Sequence, residues 1–401
     1  MTTRPVPMTE HAPTSVRRSL MLTLATSGFA VAFWAWALLA PLAPTLRQDL
    51  DLTAFQQSLV VAVPVVVGSL GRIPAGALTD RLGARRMLPL VCALTILPVL
   101  YLGHLADSFV QVLVGGFFLG LGGTTFAIGV PLVNAWYPPE RRGLALGIFG
   151  IGTGGTAIAS FTTVRLADAV GESFPFDLVA AVLAVYAVTG GLLLRDPPGR
   201  AVTAEGLVAR TRRTLRTAAT WQLAFLYAVA FGGFVAFSVY LPTYLTSADD
   251  LGRSDAATRT AGFVVLAVAM RPLGGWLSDR VHPVPVLVGT YAVVAGLALL
   301  AAAEPALMPV GTIAFLGMAA ALGAASGAVF ALVARLVAAE RVGAVTGVVG
   351  AAGGLGGFFP PLVMGAVSSA TGEFAWGFVL LAITAGCAAV FTATAVRRRA
   401  R

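Results

Sequence analysis

The stretch GSLGRIPAGALTDRLGARR, residues 68–86, sets an arginine inside an apolar run and closes that run with a cluster of charges. Arg72 precedes the Asp80-Arg81 pair by eight positions, and the arrangement returns in AVAMRPLGGWLSDR, residues 267–280, where Arg271 precedes Asp279-Arg280 by eight. At about 1.5 Å per helical residue, each arginine sits roughly 12 Å inside the end of its helix. That is close to the midplane of a hydrocarbon layer about 30 Å thick. An arginine there costs at least about 2.5 to 3.5 kcal/mol by insertion scales, so it persists where it faces a polar cavity and has a task. Two guanidiniums in one cavity imply an anion site.

The composition around these segments sets the class. The chain has 401 residues, 57% hydrophobic and only 11% charged, with a mean hydropathy of +0.86; a soluble domain carries about a quarter charged residues. An all-α membrane protein is implied. Runs of spanning length fall near residues 21–45, 56–79, 87–105, 110–135, 143–166, 176–194, 222–246, 260–278, 284–303, 309–334, 343–369 and 375–395, which predicts twelve transmembrane helices. Cys92 and Cys387 both lie in apolar segments, where packing is their expected role.

The net charge of +9 is distributed by side. Every basic residue is arginine; Arg47, Arg165, Arg253 and Arg259 fall in loops on one side, Arg72 and Arg271 lie within spans, and all the others occupy the tails and alternate loops opposite. The positive-inside rule then places both termini in the cytoplasm of a multi-pass protein of the inner membrane, and it accounts for the charge without a nucleic-acid partner. Residues 1–19 read as a polar cytoplasmic tail without a cleavage site, and 397–401 as a basic one. No nucleophile-base or metal-ligand constellation is present, so neither an enzyme nor a bound cofactor or metal is expected.

The connection 195–220, with six arginines, divides the spans into halves at 20–194 and 221–396. It reads as a cytoplasmic linker, either a hinge or simply a basic loop facing anionic lipid. The halves repeat: Glu140-Arg141-Arg142-Gly143 with Gly147 and Gly150 matches Glu340-Arg341-Val342-Gly343 with Gly347 and Gly350 at an offset of 200, and Arg72 matches Arg271 at 199. Duplicated six-helix halves with a site near the midplane between them follow. Gly150 and Gly154, and Gly350 and Gly354, recur at a spacing that lets helices pack closely.

Gly76-x-Leu78-x-Asp80-Arg81-x-Gly83-x-Arg85-Arg86 resembles the signature loop between the second and third helices of the major facilitator superfamily, and the resemblance covers the whole chain. It implies two pseudo-symmetric six-helix halves working by alternating access. A carboxylate and guanidiniums at a helix end can engage a neighbouring helix terminus in one state and release it in another. Asp80, Arg81 and Arg85, their counterparts Asp279 and Arg280, and Glu140, Arg141, Glu340 and Arg341 are the gating candidates.

Gly71-Arg72-Ile73-Pro74, Arg271-Pro272-Leu273-Gly274-Gly275 and the glycine-rich fifth and eleventh helices resemble the nitrate/nitrite porter branch. That resemblance implies that Arg72 and Arg271 clamp the anion and that Phe126 and Phe231 sandwich it, with Tyr227 one turn before Phe231. Many members carry an asparagine in the fifth helix where this chain has Thr153, which is taken as a substrate contact, and a polar residue in the first helix where it has Ala37. Nitrate is planar and monovalent, and a guanidinium presents a planar fork of donors, so paired hydrogen bonds suit arginine over lysine.

No Asp, Glu or His falls in the middle of a span, so no side-chain proton relay is visible. Nitrate/nitrite exchange needs none; proton symport, in which water or Tyr227 carries the proton, stays open, as does transport of another small monovalent anion such as cyanate. Drug efflux would want acidic residues facing the cavity, and an anion sensor an added signalling domain. The expected partners are the small anion and membrane lipid, and the expected unit is a monomer.

Overall fold

The computed structural model describes residues 15–197, 207–247, 251–371 and 375–400. Residues 1–14 and 401 of the expected tails, and 198–206 of the expected linker, lie outside the described residues. In hydrocarbon every backbone N–H and C=O must be satisfied within the segment, so apolar runs of this length become helices. The spans are α1 (Ser15–Asp49, with a turn at Ala37 and Leu38), α2 (Ala54–Leu82), α3 (Ala84–His104), α4 (Phe109–Trp136), α5 (Pro139–Val170) and α6 (Phe174–Leu193). The second group is α7 (Ala218–Ser247), α8 (Arg253–Arg280), α9 (Pro283–Ala302), α10 (Leu307–Leu336), α11 (Val342–Thr371) and α12 (Ala375–Val396). Eleven of these are long and apolar enough to cross a membrane by length and composition; α11, at 30 residues, also has the length.

Two boundaries differ from the expectation. Helix α1 begins at Ser15, inside the stretch read as tail, and Arg397–Ala400 continue helically beyond α12. Both extensions carry arginines, whose long stems let the charge reach water from a helical backbone at the interface. The one-residue reversal between α2 and α3 rests on Gly83, which holds φ 90 and donates its N–H to the Thr79 carbonyl at 2.9 Å. A side chain would be strained in that conformation. At its other end α2 is closed by a capping box, with Gln56 N–H donating to the Thr53 hydroxyl at 3.2 Å and Thr53 N–H to the Gln56 side chain at 2.9 Å.

Burial sorts the helices. In α10, 78% of the apolar window is buried, and in α4 and α7 72%, against 33% in α6 and α12; the first three are therefore the inner helices and the last two face lipid. Pairs α3/α6 and α9/α12 pack as outer layers, while α2 against α11 and α5 against α8 join the halves. Helices α5 and α8 separate toward the end of the bundle away from the described chain ends, where α1, α5, α7 and α8 enclose a cavity of about 530 Å³. A short helix, Leu207–Leu215, lies in the connection between the halves and buries Arg210 and Thr214.

Close approach explains the glycine repeat. A Cβ on Gly147 would press on the Arg271 carbonyl, and one on Gly347 on the Arg72 carbonyl. Gly154 does not share this role: a Cβ there would meet only Val268, at 3.9 Å, because α5 and α8 have already diverged toward the cavity. Gly147→Ala and Gly347→Ala are therefore expected to destabilise the fold by about 1–3 kcal/mol through overpacking, and Gly154→Ala to leave it unchanged. Thermal unfolding in detergent checks this; equal midpoints for all three variants would contradict it.

Candidate anion site

Arg72 and Arg271 meet between the halves, 1% and 3% exposed. Each is held by backbone carbonyls, mostly from the opposite half. Arg72 donates from Nε to the Gly123 carbonyl at 2.9 Å and from Nη1 to the Gly350 carbonyl of α11 at 2.6 Å. Arg271 donates from Nη1 to the Gly150 carbonyl of α5 at 3.3 Å. Two of the three accepting carbonyls lie at or beside local tightenings: Gly123 is within the 3₁₀ turn Gly120–Thr124 of α4 and Gly150 directly precedes the 3₁₀ turn Ile151–Gly154 of α5, while Gly350 lies in regular α-helix. Such turns shift N–H donors to i−3 and weaken the ladder, leaving carbonyl capacity for a side chain. Gly150 and Gly350 lack the Cβ that would come within 3.1 Å of Arg271 Cδ and 3.0 Å of Arg72 Cδ, respectively.

Aromatic faces complete the two sockets. The Arg72 guanidinium carbon lies 5.5 Å from the Phe126 ring centre and 5.8 Å from that of Phe33; that of Arg271 lies 5.1 Å from Phe231 and 5.7 Å from Phe234. Cation–π attraction of this kind contributes about 0.5–2 kcal/mol each and fixes the plane of the guanidinium. The buried Arg271 guanidinium is hydrogen-bonded to the Tyr227 side chain, and one turn before Arg72 the buried Ser69 hydroxyl has no hydrogen-bond partner among the described residues. A buried donor left unmade costs about 1–3 kcal/mol or more, which an anion accepting from it would relieve.

The structure brings Phe126, Tyr227 and Phe231 together with both arginines, in an order the sequence did not show. Phe126 and Phe231 do not face one another directly. The Tyr227 ring stands between them, parallel to both, with centroids 5.9 Å from Phe126 and 5.1 Å from Phe231. Phe330 of α10 closes the stack edge-on, 4.9 Å from Phe126 and 4.7 Å from Tyr227. The sandwich is thus a three-ring wall whose middle member carries a hydroxyl beside Arg271. Thr153 lines the outer cavity, and its hydroxyl donates to the Gly150 carbonyl at 2.8 Å, so it orients the Arg271 socket. Ala37 sits in the turn that interrupts α1. Ser69 and Phe330 were not singled out from sequence; Ser69 stands three residues before Arg72, a spacing that shares a helix face.

Among the gating candidates, the two aspartates form the contacts. Asp80 accepts from Gly343 N–H at 3.0 Å and Ala344 N–H at 2.9 Å, and Asp279 accepts from Gly143 N–H and Leu144 N–H, both at 2.8 Å. Each carboxylate therefore sits on the positive N-terminus of a helix in the other half. Glu140 and Arg141, and Glu340 and Arg341, form the 3₁₀ turns that lead into those helices. Arg81 and Arg85 are exposed, and Arg280 lies over the Trp276 ring at 4.6 Å. Sequence reading missed the asymmetry. Arg210 of the linker helix pairs with Asp80 at 2.8 Å with both side chains 4% exposed, whereas Asp279 is half-buried and faces the more exposed Arg335.

Two buried cations between pseudo-symmetric six-helix halves, with cross-half carboxylate caps at one end and a cavity at the other, define a membrane transporter of the alternating-access kind. The family model for the Major Facilitator Superfamily matches residues 25–359 and 248–401, and the chain belongs to that superfamily. It is 46% identical over 379 residues, 94% of this chain and 96% of the relative, to the probable nitrate/nitrite transporter NarK2 of Mycobacterium tuberculosis (strain ATCC 25618 / H37Rv). It is 36% identical over 365 residues, 91% of each chain, to the nitrite extrusion protein of Bacillus subtilis (strain 168). Among solved structures, the transporter FucP in the outward conformation superposes with a TM-score of 0.75 at 20% identity, covering 96% of this chain and 100% of that one. The human organic anion transporter MFSD10 gives 0.79 at 16% identity, with 95% and 100% covered; these two likenesses establish the fold alone.

The asymmetry of the caps has a measurable consequence. Asp80→Asn strands the buried Arg210 charge and is expected to lower stability by about 3 kcal/mol or more. Asp279→Asn, losing charge-assisted bonds at a half-exposed cap, is expected to cost about 1–2 kcal/mol. Thermal denaturation of the two variants side by side checks the ranking, and an equal or reversed order would refute it.

Proposed function

We propose that this protein carries nitrate and nitrite across the cytoplasmic membrane by alternating access, with Arg72 and Arg271 as the clamp. The observation that carries the reading is the pair of buried guanidiniums held by carbonyls and ring faces, with the Tyr227 hydroxyl beside Arg271. Such a pair has lost its hydration and most of its conformational freedom before substrate arrives, so binding exchanges anion hydration for preorganised donors. At about 4 Å and an effective dielectric near 20, one charge contact is on the order of 4 kcal/mol. The names of the relatives at 46% and 36% identity agree with the chemistry.

The arginine-rich tails and loops support cytoplasmic termini. In that orientation the aspartate caps seal the cytoplasmic end, the cavity opens outward, and the state described is the one that receives external anion. Six-helix halves at 20–194 and 221–396, joined by 195–220, enclose the site in one chain, which supports a monomer in lipid. Tyr227 sets the slot: its hydroxyl beside Arg271 reads the anion edge, and the three-ring wall limits thickness. Gating lies in Asp80 and Asp279, since opening the cytoplasmic end must withdraw each carboxylate from its helix terminus.

Exchange is the mode the site supports. Among the described residues no carboxylate or histidine is hydrogen-bonded or ion-paired to Arg72 or Arg271 in the clamp. With the site empty the two cations repel as the halves rock; a bound monovalent anion removes much of that penalty, so the loaded carrier switches more readily. Import of a lone anion against an inside-negative potential would cost about 2.3 kcal/mol per 100 mV, whereas one-for-one exchange is electroneutral.

Arg72→Lys and Arg271→Lys are each expected to reduce nitrate binding by at least tenfold although charge is kept, because lysine lacks the planar fork. Isothermal titration of purified protein checks this, and parent-like affinity in either variant would remove the clamp. For the mode, nitrate efflux from loaded proteoliposomes should be slow into anion-free buffer and accelerate severalfold when nitrite is added outside. Strong uptake into empty vesicles driven by an acid-outside gradient would instead establish proton symport.

A further inference from the structure

The outer cavity contains a charge that the clamp does not use. It is lined at its inner end by Phe231 and Thr153 and farther out by Thr156, Ser160, Ser238 and Thr258, and Arg165 is the one charged side chain among the described lining residues. Several lining hydroxyls are committed to their own helices: Thr156 donates to the Thr153 carbonyl at 2.9 Å, Ser160 to Thr156 at 3.0 Å and Ser238 to Phe234 at 2.7 Å. Arg165 is steered by one short bond, from Nη1 to the Phe161 carbonyl at 3.0 Å, with its guanidinium carbon 5.9 Å from the Phe161 ring centre. Of five N–H donors, that bond uses one.

The setting makes this charge count. Among the described residues at the same end of the bundle, exposed carboxylates such as Asp49, Asp51, Asp168, Glu172 and Asp255 outnumber the exposed Arg47, Arg165 and Arg259, so Arg165 places a positive charge at the cavity within an otherwise acidic rim. Arg165 lies fifteen residues along α5 from Gly150, which accepts from Arg271; that is roughly 22 Å along the helix axis. A cleft with low-dielectric walls and one sign of charge concentrates counter-ions. At 0.01 M salt the screening length is about 30 Å, longer than the path to the clamp, and at physiological salt about 8 Å, shorter than it.

We propose that Arg165 makes the cavity an antechamber that enriches small monovalent anions ahead of the Arg72/Arg271 clamp, by charge alone and without the clamp's geometric selectivity. The proposal rests on the transport reading given above, and its test is separable from that reading. Trp36 lines the same cavity and serves as the probe. Its fluorescence, isolated as the component lost in Trp36→Phe, is quenched with iodide and with neutral acrylamide at constant low ionic strength.

The expected result is an iodide quenching constant at least about threefold lower in Arg165→Gln, with acrylamide quenching unchanged. Arg165→Lys should behave as the parent, and the difference should vanish at about 1 M salt, where the screening length is about 3 Å. Unchanged iodide quenching in Arg165→Gln, or an equal fall with iodide and acrylamide, overturns the antechamber. Failure of the clamp reads differently: if Arg72→Lys and Arg271→Lys still transport nitrate, the transport site is wrong whatever the quenching shows.

Discussion

Two carboxylates, each seated on the first N–H groups of a helix in the opposite half, are the constraint on which the rest of the arrangement depends. Asp80 on Gly343 and Ala344 and Asp279 on Gly143 and Leu144, at 2.8 to 3.0 Å, fix where α2 meets α11 and where α8 meets α5. Glycine stands at 143 and 343, where an added Cβ would overlap the aspartate. The same helix pairs then bring Gly150 to Arg271 and Gly350 to Arg72. Cap and clamp are eight residues apart on one helix, about 12 Å, with Pro74 in α2 and Pro272 in α8 standing between them. That shared helix joins the proposed anion site to the proposed gate.

The clamp illustrates how a membrane interior tolerates two like charges. Carbonyl oxygens from glycine turns and the faces of Phe33, Phe126, Phe231 and Phe234 supply partial negative charge without a counter-ion. A carboxylate in the same place would neutralise the arginines and compete with an anionic substrate. Dipoles and ring quadrupoles hold the guanidiniums in position while leaving their net charge available. The 3₁₀ turns at Gly120–Thr124 and Ile151–Gly154 loosen the ladder around two of these carbonyls, while Gly350 accepts from Arg72 within a regular helix.

Much of this was legible in the sequence because it repeats. Arg72 and Arg271, Asp80 and Asp279, and the glycine series from 143 and 343 recur at nearly one offset, and buried charges at matched depth leave few architectures open. The twelve spans follow from hydropathy, which the bilayer enforces residue by residue. What stayed hidden is what does not repeat or depends on tertiary direction. Arg210 sits in a basic stretch where one buried arginine is indistinguishable from its exposed neighbours. Tyr227 shares a helix face with Phe231, but only packing shows that its ring occupies the space between Phe231 and Phe126. Gly154 continues the glycine spacing beyond the point where α5 leaves α8, so its periodicity outlasts its contact.

The Arg210 pair bears on how the two end states are balanced. Four carboxylate to N–H bonds and one buried ion pair join the halves at the end where the described chain begins and ends; hydrogen bonds to charged groups contribute about 1.5–3 kcal/mol each. A carrier that must visit both states within a turnover requires them to lie within a few kcal/mol of each other. The bonds that break when this end opens must therefore be offset at the other end, where α5 and α8 stand apart around the cavity. Closing that cavity removes water from Phe33, Trp36, Phe161 and Val264, a burial term of about 25 cal/mol per Å² of apolar surface. Directional, charge-based sealing at one end thus opposes non-directional apolar sealing at the other. Because Arg210 belongs to the linker and pairs with Asp80 while Asp279 faces the more exposed Arg335, the two caps are unequal, and breaking the one at Asp80 also strands a buried linker charge.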